Sequence, residues 1–384
     1  MPASAAAAST RVSVVIPCLD EAETIAECVT TARAVLAESG IRGEVIVVDN
    51  GSTDGSGDLA GAAGALVVDE PRRGYGSAYL AGLAAARGDY IVMIDADLTY
   101  DFREIPRFVE KLDGGAQMVV GNRMGGLQPG SMSWISRIGN PLLSGFLNVL
   151  HRTNIHDAHC GMRALRRDIL PVLNMRTEGM EFASEMVIRA TRERLDVVEI
   201  PIELHPRVGD SKLSPFRDGW RHLRLILVYN PTFLFLLPGA VLLVLGSLIS
   251  LLVFAQVPLI GRNLYLHSLI LGCLLVILGV QAIGFGLCAR AYGAYFITEQ
   301  DEVFQRIRAR FRLEHGLVLA ALVGVAGLSL FGVVAGRWAS RGFGSLAETS
   351  LALLGATLIV VSAQILFTSF FLSILGLRRR NVDA

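Results

Sequence analysis

The first part of the chain alternates short aliphatic, β-branched runs with stretches long enough for helices. Five such runs follow one another: VSVVIP from Val12, EVIVVD from Glu44, ALVVDE from Ala65, DYIVMID from Asp89 and QMVVGNR from Gln117. This alternation is typical of a mostly parallel β-sheet with helices on both faces. We therefore predict an α/β domain for this part of the chain.

After about Asn230 the pattern changes to long apolar runs. Four of them have about the 20 residues needed to cross a bilayer, at 232–255, 265–289, 316–336 and 351–377. None contains an acidic residue or a lysine. The alternative is buried helices of a large soluble protein, where four consecutive runs of this length rarely occur. We predict an α-helical transmembrane domain of four spans.

A third pattern lies between these two parts, in PFRDGWRHLRLILVYN. A helix here places Phe216, Trp220, Leu223 and Leu227 on one face and arginines on the others, which suits a helix lying in the membrane interface. The predicted organisation is an α/β domain over 1–214, an interfacial amphipathic helix over 215–230 and a transmembrane domain over 231–384.

Composition narrows the class of protein further. Hydrophobic residues make up 52% of the 384 residues, which agrees with a membrane protein, and the net charge of zero gives no sign of nucleic-acid binding. The five cysteines lack the paired spacing of a disulfide framework or a zinc site, which favours a reducing compartment. The N-terminal MPASAAAASTRV has no apolar core of signal-peptide length, so we expect the α/β domain to stay in the cytoplasm.

The arginines beside the four spans predict their orientation. Three precede the first span, five lie between the second and third, and three follow the fourth, whereas the two other loops carry fewer. Because basic residues concentrate on the cytoplasmic side, we expect a multi-pass protein of the cell membrane with both termini cytoplasmic. The arginines are Arg217, Arg221, Arg224, Arg290, Arg306, Arg308, Arg310, Arg312, Arg378, Arg379 and Arg380.

Polar and glycine-rich segments follow the five predicted strands. In parallel sheets ligands bind beyond the carboxyl ends of the strands, so we predict one pocket there. The segments are Pro17 to Glu21, Asp49 to Asp54, Arg72 to Gly74, Asp95 to Asp97 and Gly121 to Arg123.

The segment IVMIDADLTYD places Asp95 and Asp97 directly after a buried strand. Crowded carboxylates raise each other's pKa unless a cation lies beside them. Oxygen ligands suit Mg²⁺ or Mn²⁺, and Mg²⁺ commonly takes one or two carboxylates together with phosphate oxygens. These residues therefore predict a metal site for a diphosphate ligand, and the alternative is that both acids cap the next helix.

Eight motifs between residues 11 and 225 resemble those of family 2 glycosyltransferases with the GT-A nucleotide-sugar-binding fold. The closest resemblance is to the polyprenyl-phosphate group, the dolichyl-phosphate mannose or glucose synthases. The motifs are VVIPCLDEAETI, VVDNGSTDGS, RRGYGSAYLAG, DADLTYD, GNR, DAHCGMRALRR, GMEFASEM and VGDSKLSPFRDGW.

This resemblance implies roles for individual residues. It implies nucleotide binding by Pro17, Leu19, Glu21, Asp49, Asp95, Ala96 and Asp97, with metal binding by Asp95 and Asp97. It implies a catalytic set of Asp97, Arg123, Asp157, Arg163 and Glu185. Glu181 and Glu185 share one helical face and repel each other, so we expect a partner such as Arg163 or a sugar hydroxyl, the alternative being two solvated glutamates.

The phosphate of the lipid acceptor is assigned to residues close to the interfacial helix. They are Arg123, Arg207, Ser211 and Lys212, the alternative for Arg207 and Lys212 being simple attraction to anionic headgroups. The reaction expected is transfer of a hexose, with inversion, from a nucleotide sugar to a polyprenyl phosphate. The first expectation is glucose from UDP-glucose, and GDP-mannose is the other donor considered.

Two other functions agree less well with the sequence. A processive polysaccharide synthase would carry a Q-x-x-R-W motif before its channel helices, and RDGWRHLRL lacks it. A catalytically inactive scaffold would show eroded acid motifs, whereas these are intact. Association into a homo-oligomer is left open by the sequence.

Overall fold

The computed structural model describes residues 10–209, 214–257, 264–296, 313–344 and 348–377. The chain divides into two compact units, Met1–Ile226 and Leu227–Ala384. The first unit contains the β-sheet and the second contains the long apolar helices.

The first unit is built on a seven-stranded sheet with the order β3-β2-β1-β4-β6-β5-β7. Every neighbouring pair is parallel except those of β6, which runs antiparallel to both β4 and β5. The predicted mostly parallel sheet is thus confirmed. The strands are β1 Val12–Cys18, β2 Gly43–Asp49, β3 Leu66–Asp69, β4 Tyr90–Met93, β5 Met118–Asn122, β6 Arg163–Arg166 and β7 Val197–Pro201.

Helices connect these strands and cover the sheet. α3 lies very close to the sheet, since a Cβ on Gly82 would be 2.4 Å from Val15 Cγ1 and 2.9 Å from Val48 Cγ2. The helices of this unit are α1 Ile25–Glu38, α2 Ser56–Ala62, α3 Tyr75–Ala85, α4 Ile105–Asp113, α5 Trp134–His151, α6 Leu170–Leu173, α7 Phe182–Arg192 and α8 Pro215–Val228.

All five predicted strands are present, and two further strands were not predicted. β6 has the sequence RALR, with only two apolar residues. It forms a strand because it pairs with the apolar strands β4 and β5 on its two sides. β7 extends the sheet at the outer side of β5.

The second unit contains α9 Leu237–Phe254, α10 Leu266–Phe296, α11 Leu313–Ser340 and α12 Thr349–Leu377, with a π-helical turn at Thr232–Leu236. In the described part of the chain, four segments are long and apolar enough to span a membrane: Thr232–Phe254, Leu266–Ala294, Leu313–Ser340 and Thr349–Leu375. They confirm the four predicted spans.

Small residues let α9 and α10 approach closely. A Cβ on Gly246 would lie 2.5 Å from the carbonyl oxygen of Gly272, and one on Gly279 would lie 2.5 Å from the amide nitrogen of Leu243. Such contacts are the usual packing of membrane helices. A polar contact joins α10 to α12, where Gln364 Nε2 donates to Gln281 Oε1 at 2.9 Å.

Candidate active site

The ends of β2 and β3 are joined to the start of α3 by one buried side chain, Asn50. Its Nδ2 donates to the carbonyls of Glu70 and Arg72 at 2.9 and 2.8 Å, and its Oδ1 accepts from the N–H of Gly74 at 2.7 Å. Asn50 is not among the residues predicted from the sequence. The available signal was an amide side chain between the end of a strand and a glycine, in VVDNG.

Asp95 lies at the end of β4 under two tyrosines. Its Oδ1 accepts from the hydroxyls of Tyr75 at 3.0 Å and Tyr79 at 3.3 Å. Burial and the neighbouring Asp97 carboxylate raise the pKa of Asp95 to about 6. Gly161 lies against the other oxygen, since a Cβ there would be only 2.3 Å from Oδ2. The DAHCGMR motif therefore meets the acid motif at a glycine.

Asp97 has a different environment, because a cationic side chain lies beside it. Its Oδ1 accepts from the amide and hydroxyl of Thr99 at 3.1 and 2.6 Å. Its Oδ2 lies 3.2 Å from Arg207 Nη1, and Arg207 Nη2 lies 2.8 Å from Glu21 Oε1. Arg207 thus connects the segments that follow β1 and β4. Its Nε is buried and has no hydrogen-bond acceptor among the described residues.

The turn between the two acids is held from both sides. The carbonyl of Ala96 accepts from Thr24 Oγ1 at 2.7 Å and from Cys28 Sγ at 3.3 Å, which fixes the turn to the first part of α1. On the other side, the N–H of His205 donates to the carbonyl of Thr99 at 2.9 Å. The position of Arg207 beside Asp97 is therefore set by backbone as well as by charge.

The other residues predicted to bind the nucleotide lie at the same edge. Pro17 pairs in register with Val48 near the ends of β1 and β2, and Leu19 follows β1. Asp49 is the last residue of β2, and its Oδ1 accepts from the N–H of Ser52 at 2.8 Å. The predicted set from β1, β2 and β4 is therefore placed along one carboxyl edge of neighbouring parallel strands.

Two predicted catalytic residues, Arg123 and Asp157, form a buried ion pair. Arg123 Nε and Nη2 donate to the two carboxylate oxygens of Asp157 at 2.7 and 2.8 Å, and Nη1 donates to the hydroxyl of Tyr100 at 3.2 Å. That hydroxyl also accepts from the N–H of Gly161 at 2.8 Å. The pair therefore supports the glycine that lies against Asp95.

Arg163 is fully engaged by backbone carbonyls. Its Nε, Nη1 and Nη2 donate to Cys160, Ala183 and Ala158 at 2.8, 2.7 and 2.7 Å. Burial lowers the pKa of its guanidinium. Arg163 ties the loop before β6 to α7.

Glu185 is buried and held by several donors. Its Oε2 accepts from the amides of Arg176 and Thr177 at 3.0 and 2.8 Å, and Arg189 Nε lies 2.7 Å from Oε1. Burial raises the pKa of Glu185, but these donors outweigh it, so the pKa lies below its usual value. Its charge partner is Arg189, one helical turn along the same helix, and not the predicted Arg163, whereas a contact with a sugar hydroxyl stays a prediction.

Glu181, just before α7, differs from Glu185. Its Oε2 is buried without a hydrogen-bond partner in the described part of the chain, and it folds over Gly179, where a Cβ would lie 2.4 Å away. The next residue, Phe182, stacks on Tyr79 with 5.7 Å between ring centroids. Because Tyr79 donates to Asp95, the start of α7 is packed against the acid site.

Asp95 and Asp97 fit a divalent cation that takes its remaining ligands from a phosphate or water. One or two carboxylates are the usual contribution of a protein to such a Mg²⁺ site, and a cation beside Asp95 and Asp97 would offset the repulsion between their charges. No cluster of three or more His, Cys, Asp and Glu side chains is found among the described residues. Ser211 and Lys212, predicted for the acceptor phosphate, lie outside the described residues.

Sequence comparisons match both parts of the chain to known families. Residues 13–173 match Glycosyl transferase family 2, and residues 287–376 match the Glycosyltransferase family 2 C-terminal transmembrane region. The low-salt glycan biosynthesis hexosyltransferase Agl6 of Haloferax volcanii is 39% identical over 367 residues, 95% of this chain and 89% of that protein. The chain belongs to glycosyltransferase family 2. The resemblance inferred from the eight motifs is thereby confirmed.

Further similarities of this family 2 glycosyltransferase cover about half of the chain. A dolichyl-phosphate hexose transferase of Haloferax volcanii is 33% identical over 179 residues, 46% of this chain and 77% of that protein. A glucosyl-3-phosphoglycerate synthase of Mycobacterium tuberculosis, crystallised with Mn²⁺, uridine diphosphate and glucosyl-3-phosphoglycerate, is 25% identical with a TM-score of 0.45. The match covers 57% of this chain and 78% of that one. The glycosyltransferase combines a GT-A-like sheet with a multi-pass membrane domain.

Proposed function

We propose that this glycosyltransferase moves a hexose, with inversion, from a nucleotide sugar to the phosphate of a polyprenyl lipid. The observation that carries the proposal is the cluster of Glu21, Asp97 and Arg207, where acids and a cation meet at the carboxyl edge of the sheet. The names of the relatives, a hexosyltransferase and a dolichyl-phosphate hexose transferase, support it. Glucose from UDP-glucose is the first donor proposed, and GDP-mannose is the second.

The nucleotide is assigned to the ends of β1, β2 and β4. Pro17, Leu19 and Asp49 would contact the base, and Asp95 and Ala96 the ribose. Support comes from their common edge, which is where parallel sheets bind ligands. The hydrogen bonds to Ala96 and Asp49 hold these segments in place before a ligand arrives.

The diphosphate is assigned to the two acids and to the cation that they would hold, and Arg207 to the phosphate of the lipid. Mg²⁺ or Mn²⁺ bound at Asp95 and Asp97 would neutralise the charge that develops on the leaving diphosphate. Arg207 lies at the sheet edge with its side chain 22% exposed, so its guanidinium can bind a phosphate oxygen of the acceptor. We assign it, with Ser211 and Lys212, to the acceptor phosphate.

The chemistry needs no strong general base. A phosphate monoester has a second pKa of about 6 and is largely dianionic at neutral pH. One of its oxygens attacks the anomeric carbon as the bond from that carbon to the diphosphate oxygen breaks. Asp157 and Arg123 would act by holding Gly161 against Asp95 rather than by touching the sugar.

The membrane assignment completes the proposal. We infer that α8 lies in the membrane interface, because it exposes Phe216 and Trp220 and directly precedes the first span. We also assign the first unit and both termini to the cytoplasmic side, from the arginine distribution of the sequence.

The reaction is tested by incubating membranes that contain the protein with a polyprenyl phosphate and a panel of UDP- and GDP-sugars. The mass of the lipid product is then measured by mass spectrometry. The expected product carries a single hexose on the lipid phosphate and forms best with one donor. A sugar polymer would instead indicate a processive synthase, and no lipid-linked sugar with any donor would contradict the proposal.

The substitution Asp97→Asn should abolish transfer while leaving the fold intact. An amide can still accept from Thr99, but it offers no anionic oxygen to a cation. Activity should be lost in wild type when a chelator removes Mg²⁺ and Mn²⁺. Turnover and circular dichroism check both expectations.

The matched control is Asp101→Asn. Asp101 caps the short helix at Phe102–Glu104 by accepting from the N–H of Arg103 at 2.9 Å, and asparagine caps equally well. This variant should retain activity. Full turnover of Asp97→Asn, or of wild type in excess chelator, would disprove the metal assignment.

A further inference from the structure

Helix α5 carries a row of exposed apolar side chains. Trp134, Ile138, Leu142 and Val149 are between 64% and 74% exposed. Their spacing places them on one face of the helix. Contiguous exposed apolar faces of this kind mark surfaces that contact another molecule or a membrane.

The opposite face of α5 is firmly attached to the first unit. Ser144 is buried, and its Oγ accepts from the N–H of Ala158 at 3.1 Å. Asn148 Nδ2 donates to the carbonyl of Ile155 at 2.9 Å. These bonds fix the rotation of α5, so the apolar row points away from the domain.

One end of α5 is tied to the chain just before the membrane. His151, the last residue of α5, lies 3.0 Å through Nε2 from the carbonyl oxygen of Ile226 in α8. The first span begins a few residues later, at Thr232. The apolar face of α5 is therefore linked to a segment that must itself lie close to the bilayer.

The charges of α5 also suit a membrane surface. Its sequence WISRIGNPLLSGFLNVLH contains no acidic residue, Arg137 is exposed, and Arg152 follows the helix. Basic residues are attracted to anionic headgroups, and tryptophan is enriched at the boundary between headgroups and acyl chains. Among the described residues, no comparable observation favours a second protein as the partner of this face.

We propose that α5 lies in the membrane interface, with Trp134, Ile138, Leu142 and Val149 inserted among the lipids. It would be a membrane contact in addition to α8 and the four spans. The loop with Asp157 and Gly161 follows α5 closely, so this contact would hold the acid site at the level of lipid phosphates. The contact does not depend on which donor or acceptor the glycosyltransferase uses.

The test measures tryptophan fluorescence of the full-length protein without any substrate. The substitutions Trp220→Phe and Trp338→Phe leave Trp134 as the single tryptophan. The variant is reconstituted into vesicles of phosphatidylcholine and phosphatidylglycerol, with or without bromine atoms on the acyl chains. We expect blue-shifted emission from Trp134 and loss of most of it in brominated vesicles.

Two outcomes would overturn the proposal. Unshifted emission without quenching would place Trp134 in water. Blue-shifted emission without quenching would mean that protein, such as a second copy of the chain, covers the face. Either result leaves the proposed reaction untouched, since no turnover is measured.

A matched control carries its single tryptophan elsewhere on the first unit. In a chain with all three tryptophans changed to phenylalanine, Leu59→Trp places it on α2, where Leu59 is 41% exposed. It should remain unquenched, and quenching equal to that of Trp134 would refute a specific contact of α5. Should the Trp134 variant fail to fold, wild type is compared with the single substitution Trp134→Phe in both kinds of vesicle. The emission lost with Trp134 should be the part that brominated lipid quenches, and equal quenching in the two proteins would overturn the proposal.

Discussion

The charged residues in and around the candidate site fall into two groups. Arg123 with Asp157, and Glu185 with Arg189, are buried pairs with their partners within the fold. Buried charges are tolerated only when paired and hydrogen-bonded. Arg207 differs, since it pairs with Glu21 and Asp97 at the sheet edge and keeps a buried Nε that has no acceptor in the described chain. The first group builds the site, and Arg207 is the residue that we propose for a ligand.

The two glutamates at the start of α7 should respond differently to substitution. Glu185→Gln removes the carboxylate from a buried arginine, which costs about 3 kcal/mol in comparable pairs, so the melting temperature should fall. Glu181→Gln should leave it nearly unchanged, because no partner of Oε2 is present in the described chain, and should raise the KM for the nucleotide sugar.

Thermal unfolding and donor kinetics of both variants decide the point, each serving as the control for the other. Normal kinetics in Glu181→Gln would exclude a role for that carboxylate in donor binding. An unchanged melting temperature in Glu185→Gln would show that Arg189 does not need its partner.

The residues of the acid site could be located from the sequence, but their partners could not. Asp95 and Asp97 are marked by the strand that precedes them. Arg163, in contrast, bonds three backbone carbonyls, and no residue type in the sequence marks such an acceptor. Similarly, Arg207 pairs with Glu21, which lies 186 residues earlier in the sequence. The two meet only because of the order of the strands in the sheet.

Strand β6 shows how one unpredicted element shapes the site. It is antiparallel to β4, and Met93 pairs with Arg163 in register. Residues just after β4 therefore meet residues just before β6, which brings Asp95 against Gly161. Strands β1 to β5 could be predicted from their apolar runs, whereas β6 is short, has arginines at both ends, and is stabilised by its neighbours.

Helix α8 is attached to the rest of the first unit through two histidines, His222 and His151. His222 Nδ1 lies 2.8 Å from Ser184 Oγ, and His151 bonds Ile226. Burial lowers the pKa of both histidines to about 4. Among the groups around His222, Asp218 raises its pKa and Arg163 lowers it, and His159 contacts its ring edge.

We therefore expect the protein to lose stability in acid. Above pH of about 6.5 both states carry neutral histidine, whereas below it the unfolded chain binds protons that the folded chain does not. Between pH 7.5 and 5, stability should fall by on the order of 2 kcal/mol for each histidine. Melting temperatures at pH 7.5 and 5 measure the loss.

The substitution His222→Gln should reduce this acid loss, since glutamine does not titrate. His156→Gln is the matched control, because His156 is exposed and pairs with Glu199 at the surface. An acid loss that is equal in wild type and His222→Gln would show that His222 is not responsible for it.

At the scale of the whole molecule, the two-part organisation was predictable because membrane spans need only length and apolar composition. The contacts among the spans were not, since Gln281 and Gln364 are far apart in sequence and pair only in the folded unit. Most arginines used to predict orientation, at 306–312 and 378–380, lie outside the described residues. The orientation therefore stays a prediction.

Fusions to alkaline phosphatase, which is active only outside the cytoplasm, would measure that orientation. A fusion after Ala384 should be inactive because both termini are expected inside. The control is a fusion after Val257, which follows the first span and should be active. The reverse pattern would contradict the arginine argument.

Arg207 has a consequence for the order in which ligands enter. Its guanidinium already lies beside Asp97, so a bare divalent cation arriving there meets a like charge. The negative charge of a diphosphate on the metal would offset that repulsion while Arg207 stays assigned to the acceptor phosphate, which makes the binding of metal and nucleotide mutually reinforcing. Titration of Mn²⁺ should show weak binding alone and tighter binding with uridine diphosphate, whereas in Arg207→Ala the two affinities should draw together. The enzyme would then take up its cation together with the donor, and the site without a nucleotide sugar would bind the metal only weakly.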